Sequence, residues 1–293
     1  MPELPDIELY LACLRRRIAG ARLIRWRLTS PFFLRTVEPR PDEFVARRVT
    51  ALERLGKRIV IGFEGELFAA LHLMIAGRLR WRPQGAAVPG RIGLAALDFD
   101  SGALLVTEAG SKKRASLHLV RGRAALAEHD RGGLEPLAAG PGDFAGALAR
   151  ENHTLKRALT DPRMFAGIGN AYSDEILHRA RLSPLQLTRN LSGEEVARLF
   201  EATQAVLREW RDRLVAETGD GWPEKVTAFR EGMAVHGRFR QPCPDCGAPV
   251  QRIVRAENEC NYCARCQTDG RVLADRALSR LLGKDWPRSL NDL

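Results

Sequence analysis

The chain has 293 residues, of which 45% are hydrophobic, enough for two domains with a sizeable core. Lys and Arg number 46 against 36 Asp and Glu, giving a formal charge of +10 and an isoelectric point near 9.8, a balance that favours a polyanionic partner. No run approaches the roughly 20 apolar residues of a membrane span, and no apolar signal segment opens the chain; these absences argue against a membrane protein and predict a cytoplasmic one.

In chain order, residues 5–20 read as an amphipathic helix. Ile7, Leu11, Leu14 and Ile18 share a face, Asp6 sits in the first turn and Gly20 stops it. Cys13 lies within this pattern and reads as a small buried hydrophobe. From 21 to about 125 the pattern is one of short strands. Ile24, Trp26 and Leu28 alternate with Arg25 and Arg27, the runs Arg58–Phe63 and Leu67–Leu73 are apolar, and Asp100-Ser101-Gly102 is a hairpin signal before Ala103–Thr107. Many short strands at close spacing predict a β-sandwich or barrel. Residues 131–149, rich in Gly, Pro and Ala, read as a hinge. Ser192 and Glu195 form a capping-box signature, followed by Val196, Leu199, Phe200, Thr203, Val206, Leu207 and Trp210 along one helical face. Val272–Leu282 reads as a last short amphipathic helix.

Both ends of the chain carry chemistry. If Met1 is removed, Pro2 becomes a secondary amine beside the carboxylate of Glu3. A terminal amine, with a pKa of roughly 7.7–8.0, is partly unprotonated near neutrality and attacks carbonyl-type carbons. Pro followed by an acid also commonly opens a first helix. Near the other end, Cys243-x2-Cys246 and Cys263-x2-Cys266 are two knuckles suited to one closed, tetrahedral, structural zinc ion. Cys260 forms a competing knuckle with Cys263. Clustered cysteines in a reducing compartment suit a metal better than disulfides.

The blocks Pro2-Glu3-Leu4-Pro5, Leu55-Gly56-Lys57-Arg58, Leu71-His72-Leu73 with Gly77-Arg78-Leu79, Glu135-Pro136-Leu137, Gly167-Ile168-Gly169-Asn170-Ala171-Tyr172-Ser173-Asp174-Glu175-Ile176-Leu177 and the cysteine finger occur in order. Together they resemble the formamidopyrimidine-DNA glycosylase / endonuclease VIII family. The resemblance implies an α+β multidomain chain: a catalytic β-sandwich with its N-terminal helix (1–130), a hinge (131–149), a helix–two-turns–helix domain (150–238), a zinc finger (239–270) and a tail (271–293). It implies a monomer that acts on damaged DNA, flips the lesion from the duplex, excises the base and cuts the strand. Pro2 would be the Schiff-base nucleophile, Glu3 the proton donor to the sugar ring oxygen, and Lys57 an aid to elimination and a phosphate contact. His72, Lys156 and Asn170 would grip the backbone. The sixteen-residue gap selects Cys243, Cys246, Cys263 and Cys266 as the zinc ligands. Asp174 and Glu175 are expected to cap or pair within their motif rather than to catalyse.

The chain departs from the family at four places. Asn258 stands at the phosphate-binding arginine position of the finger tip, so that grip is either weaker or supplied by Arg255 or Arg252. Ile75, after Met74, occupies the first wedge position. The second wedge segment carries Lys112, Lys113 and Arg114 and no aromatic, so reading of the opposite base should be weak. His236 replaces a tyrosine, and the segment Gly219–Gly237 is short, which predicts oxidised pyrimidines, ring-opened purines or abasic sites in preference to 8-oxoguanine. These departures leave a damage-binding protein without turnover as the alternative; a plain zinc-ribbon adaptor would explain only the last quarter of the chain.

Overall fold

A computed structural model of the protein describes residues 1–255, 258–283 and 286–292. Contacts divide the chain into two compact units, one of Met1–Arg131 with Trp210–Thr227, the other of Gly132–Glu209 with the chain from Ala228 onward. No described helix is long and apolar enough to cross a membrane.

In the first unit, α1 (Leu4–Ile18) begins at a proline-containing turn, where a missing N–H costs nothing. The Asp6 carboxylate accepts the Glu3 N–H at 2.8 Å, and Arg15, Arg16 and Arg17 lie at the negative end of the helix dipole. Its buried face, Ile7, Tyr10, Leu11, Leu14 and Ile18, joins the inward residues of two antiparallel four-stranded sheets in one core. One sheet runs β1 (Leu23–Leu28), β6 (Gly93–Phe99), β7 (Gly102–Glu108), β5 (Gly77–Arg82). The other runs β2 (Val49–Leu55), β3 (Arg58–Phe63), β4 (Leu67–His72), β8 (Ser116–Arg121). Ile59, Ile61 and Phe63 of β3 alternate inward, as period-2 burial requires. Outside, α2 (Arg123–Ala127) covers Val60, Phe68 and Val120 through Leu126. Cys13 is buried, as its place in the helix pattern predicts.

The face predicted for β1 is kept at Trp26, which packs on the core, but not at Ile24 and Leu28, which are exposed. The register slips between Leu23 and Arg25, and at this bulge Leu23 is buried in place of Ile24. Arg25 and Arg27 then both meet the buried Asp98.

In the second unit, α3 (Pro141–Ala149), α4 (Leu155–Thr160), α5 (Asn170–Ala180) and the first part of α6 (Gly193–Thr218) form the helical layer, with the turns of 161–169 between α4 and α5. The capping box forms at α6: Ser192 Oγ accepts the Glu195 N–H at 3.2 Å, and Glu195 accepts the Ser192 N–H at 2.9 Å. The finger is a hairpin of β9 (Val250–Arg255) and β10 (Asn258–Cys263) followed by α7 (Ala264–Thr268). The tail helix, α8, spans Arg276–Leu282 rather than Val272–Leu282; Val272 and Leu273 are buried ahead of it, and the Leu273 N–H donates to Tyr262 Oη at 2.7 Å.

Two expected boundaries are corrected. Part of 131–149 is helical: Pro141 opens α3, Asp143 accepts the Gly140 N–H at 3.2 Å, and Phe144, Ala147 and Leu148 are buried. Gly and Pro at a helix start imitate a linker in composition. Nor does 150–238 stay in one unit. The unit boundary falls inside α6, after Glu209, and 210–227 belongs to the first unit. There Val226 enters the core and Trp222 Nε1 donates to the Leu79 carbonyl at 2.9 Å.

Candidate active site and metal centre

In the first unit, Met1 is 37% exposed, and directly ahead of α1 Pro2 is buried and Glu3 only 3% exposed. Burial pushes the Met1 ammonium below the ordinary value of a terminal amine; Arg78 and Lys57 push it the same way, and Glu3 and Asp6 oppose them. An amine at this end is therefore biased towards its unprotonated form, with a carboxylate and a lysine in electrostatic range. Here the amine is Met1's, and the Pro2 nitrogen is an amide. Local structure places the groups: Lys57 follows Gly56 (φ 59°) in the tight β2–β3 turn, and Arg78 in β5 donates to the carbonyls of Ile75 and Gly77 at 3.0 and 2.6 Å.

His72 ends β4, opposite Arg58 in β3 and Ser116 in β8. Its Nδ1 accepts the Met74 N–H at 3.1 Å, which leaves the proton of the neutral ring on Nε2. Burial, assisted by Arg58, Lys57 and His118, lowers its pKa from 6.5 to about 4. His72 is thus a neutral donor, able to reach an anion without a charge of its own. His118 is also lowered to about 4, chiefly by burial, and its ring lies 4.5 Å from that of His129. The unfolded imidazoles take protons below 6.5, the folded ones only below about 4, so the unfolded state binds more protons in that window and stability falls as pH falls through it. The melting temperature should drop between those pH values, and His72→Asn with His118→Asn should flatten the drop, His118 contributing less because it is more exposed. An unchanged slope in thermal melts across that range would contradict the assignment.

Two loops carry the expected wedge residues. The β4–β5 turn closes with the Gly77 N–H on the Leu73 carbonyl at 2.9 Å; a Cβ at Gly77 would lie 2.2 Å from that oxygen. Met74 takes φ 52° and Ile75 is left 56% exposed at the tip. In the β7–β8 loop the buried Glu108 accepts the N–H groups of Arg114 and Ala115 at 2.9 and 3.1 Å. Lys112 and Arg114 are exposed, but the Lys113 ammonium is directed inward to the Glu108 carbonyl, so the loop presents fewer cations than its sequence suggests.

In the second unit, α5 is the hub. Lys156 Nζ donates to the Asn170 carbonyl at 2.7 Å, Ser173 Oγ at 2.8 Å and Asp174 Oδ1 at 2.5 Å. All three ammonium donors of Lys156, expected to meet phosphate, are engaged within the protein in this structure. Asp174 Oδ2 meets His236 Nδ1 at 2.8 Å and accepts the Asn261 N–H at 3.1 Å. Glu175 accepts the consecutive backbone N–H groups of Ala234, Val235 and His236 at 2.7–2.9 Å. The acids are thus structural, but their partners lie outside their own motif, at Lys156, 234–236 and Asn261. Asn170 Nδ2 donates to the Glu259 carbonyl at 2.7 Å, which fixes the amide against β10. Phe229, 70% exposed, stacks on the His236 ring at 5.5 Å. Arg252 Nη1 lies 3.3 Å from the Glu259 carboxylate, and its guanidinium sits over the Phe239 ring. The side chains of Arg255 and Asn258 lie outside the described residues, as do residues 256 and 257 between them.

The sulfurs of Cys243, Cys246, Cys263 and Cys266 lie within 4.8 Å of one another. Cys243–Cys266 and Cys246–Cys263 are 3.9 and 3.4 Å apart, close to the ~3.8 Å edge of a tetrahedron with metal–sulfur bonds of about 2.3 Å. The donor set fits one thiophilic ion. Cys260 is not in the group; burial, with Asp174 nearby, raises its thiol pKa and keeps it protonated.

Sequence reasoning gave no role to Arg78, Glu108 or His178; the His178 contact with Cys243 joins residues far apart in the chain, whereas Arg78 and Glu108 meet near neighbours through the shape of their loops. Glu108 next to a basic run was the one available signal.

Residues 1–118 match the formamidopyrimidine-DNA glycosylase N-terminal domain, and 133–212 match its H2TH domain. The formamidopyrimidine-DNA glycosylase of Roseiflexus sp. is 35% identical over 286 residues, covering 91% of this chain and 100% of the relative. The solved MutM (Fpg) protein of Thermus thermophilus is 32% identical with a TM-score of 0.75, covering 91% of this chain and 98% of that one. The Lactococcus lactis Fpg, solved bound to DNA containing an abasic site, is 22% identical and shares the fold at a TM-score of 0.79, covering 91% of this chain and 99% of that one. With these motifs, this fold and identity sustained over nearly the whole length, the chain belongs to the formamidopyrimidine-DNA glycosylase family.

Proposed function

We propose that this protein is a base-excision-repair DNA glycosylase and abasic-site lyase, that Pro2 is its nucleophile once Met1 is removed, and that its cysteine quartet holds one structural zinc ion. The observation that carries the reading is the burial of Pro2 and Glu3 at a chain start where the Met1 ammonium is already driven towards its free-base form, with Glu3 and Lys57 in electrostatic range. The Pro2 nitrogen attacks C1′ of the flipped nucleotide while Glu3 protonates the ring oxygen and the C1′–O bond opens. The attacking nitrogen gives up its proton to the Glu3 carboxylate, and its lone pair then expels the base, which departs with the electron pair of the glycosidic bond and leaves an iminium ion. The iminium acidifies C2′–H; loss of that proton expels the 3′ phosphate, and water then hydrolyses the imine to release the enzyme. Lys57 and the His72 Nε2–H hold phosphate oxygens, and Ile75 fills the space left in the base stack. Lys112 and Arg114 hold the opposite strand, Asn170 contacts the lesion strand's backbone, and the cysteine finger makes phosphate contacts.

Part of the short 219–237 segment is committed elsewhere: Trp222, Glu224 and Val226 are fixed within the first unit. That supports oxidised pyrimidines, ring-opened purines or abasic sites as better substrates than 8-oxoguanine. One preparation tests all of this. Intact mass should show Met1 absent, and borohydride should trap the protein on DNA with one abasic site through its N-terminal peptide; Pro2→Gly should trap far less. Turnover on a panel of lesion duplexes should rank 8-oxoguanine low. No adduct from Met1-free, zinc-loaded protein that still binds the DNA would establish the damage-binding alternative.

A further inference from the structure

Asn170, Asp174 and His178 are spaced at i, i+4 and i+8 on α5, so they form one line along the helix. Each reaches the finger module. Asn170 Nδ2 donates to the Glu259 carbonyl at 2.7 Å, and Asp174 accepts the Asn261 N–H at 3.1 Å. His178 Nε2 lies 3.3 Å from Cys243 Sγ, with His178 3% and Cys243 2% exposed. A second tie runs through Gln267, which accepts the Cys263 N–H at 2.8 Å and donates to the Leu182 carbonyl just beyond α5 at 2.9 Å. The finger is thus fixed to this helix along its whole length, and one fixing point is a metal-ligand sulfur.

We propose that His178 donates an Nε2–H···S hydrogen bond to the metal-bound Cys243 thiolate, and so links the zinc site to the helix whose first residue is Asn170. The inference rests on the zinc reading above. Four thiolates around one divalent ion leave a net charge of −2 on the site. A buried site of that charge needs donors aimed at its sulfurs, because water cannot supply them. His178 supplies a donor from outside the finger. Without it, Cys243 keeps more electron density and is easier to oxidise or displace, and α5 loses its last anchor to the finger. The imidazole acts through the sulfur and touches neither ion nor DNA, so it is a positioning residue. His178, Asp245 and Cys266 also place ligand atoms within 4.8 Å of one another, so direct ligation by the imidazole is the competing arrangement.

The test uses the full-length protein as purified and after exchange of zinc for cobalt(II). Wild type, His178→Phe and His178→Gln are compared; glutamine can restore an N–H donor at similar reach, and phenylalanine keeps ring volume without one. Wild type should hold one zinc per chain by elemental analysis. His178→Phe should release it to a chelator on the order of tenfold faster, and its sulfur-to-cobalt charge-transfer band should move to lower energy. His178→Gln should restore both towards wild type. If the phenylalanine variant does not fold, His178→Met provides the same donor-free comparison. Equal release rates and identical cobalt spectra across variants would overturn the proposal while leaving the zinc reading intact. A wild-type cobalt spectrum with three sulfurs and one nitrogen would overturn it in favour of direct ligation. Wild type without zinc would overturn the zinc reading itself, and this proposal with it.

Discussion

Glu3→Gln should lose about 10²–10⁴-fold in base excision yet retain a borohydride-trappable adduct on DNA that already contains an abasic site. Glutamine matches glutamate in shape and cannot give a proton. Base excision from an intact nucleotide needs the ring oxygen protonated as the sugar opens. A preformed abasic site is in equilibrium with its open aldehyde, which an amine attacks with no ring to open. The two activities should therefore separate in this variant. The structure makes the variant a fair test, because the amino end of α1 is held by Asp6, which accepts the Glu3 backbone N–H, and that bond does not involve the replaced carboxyl. Glu3 is one of the two acids that raise the pKa of the Met1 ammonium, and the Pro2 amine exposed once Met1 is gone lies nearer still, so removing the carboxylate should lower its pKa. The pH dependence of adduct formation should accordingly shift to lower pH. Single-turnover excision and trapping, measured on the same preparation, decide the matter. Equal loss of both activities would mean that Glu3 serves attack by the amine rather than ring opening, and no loss of either would remove it from the mechanism.

Much of this was legible in the sequence where the signal is local. The α1 face, the alternation in β3, the Ser192/Glu195 box and the cysteine spacing all depend on residues a few positions apart, and each is realised. What failed depended on distant partners or on a single irregularity. One bulge after Leu23 buried Leu23 in place of Ile24, while Trp26 kept the predicted face. Lys156 looks like a free cation until α5 brings Asn170, Ser173 and Asp174 around it. Lys113 looks equally available until the loop folds it back on Glu108. Cys260 and Cys266 both make a two-residue knuckle with Cys263, and only the sixteen-residue gap of the family pattern told them apart; the hairpin gives the physical reason, since Cys260 faces the Asp174 side of β10 and Cys266 comes from α7. Asn170 was recognised from the motif, but its amide donating to β10 was invisible without the fold.

Asp174→Asn should destabilise the second unit by about 3–5 kcal/mol, the loss typical of breaking a buried ion pair by removing one partner. The Asp174 side chain is fully buried and that of Lys156 is 15% exposed, so the lysine left behind has little access to water. The carboxylate serves Lys156, His236 Nδ1 and the Asn261 N–H together. An amide has one acceptor oxygen for these groups, and its NH2 would oppose a donor. Such a loss is a large share of the roughly 5–15 kcal/mol that holds an ordinary domain folded, and urea titrations should show the midpoint fall sharply. Removing both partners should cost less than removing Asp174 alone: Asp174→Leu with Lys156→Met leaves no buried charge, so part of the stability should return. DNA binding should not return with it. The lysine also fixes the Asn170 carbonyl and Asp174 fixes β10, so the double variant regains a folded unit without the geometry that sets Asn170 against the finger. If Asp174→Asn melts like wild type, the network is not an ion pair holding the fold, and the three donors of Lys156 are available to phosphate after all.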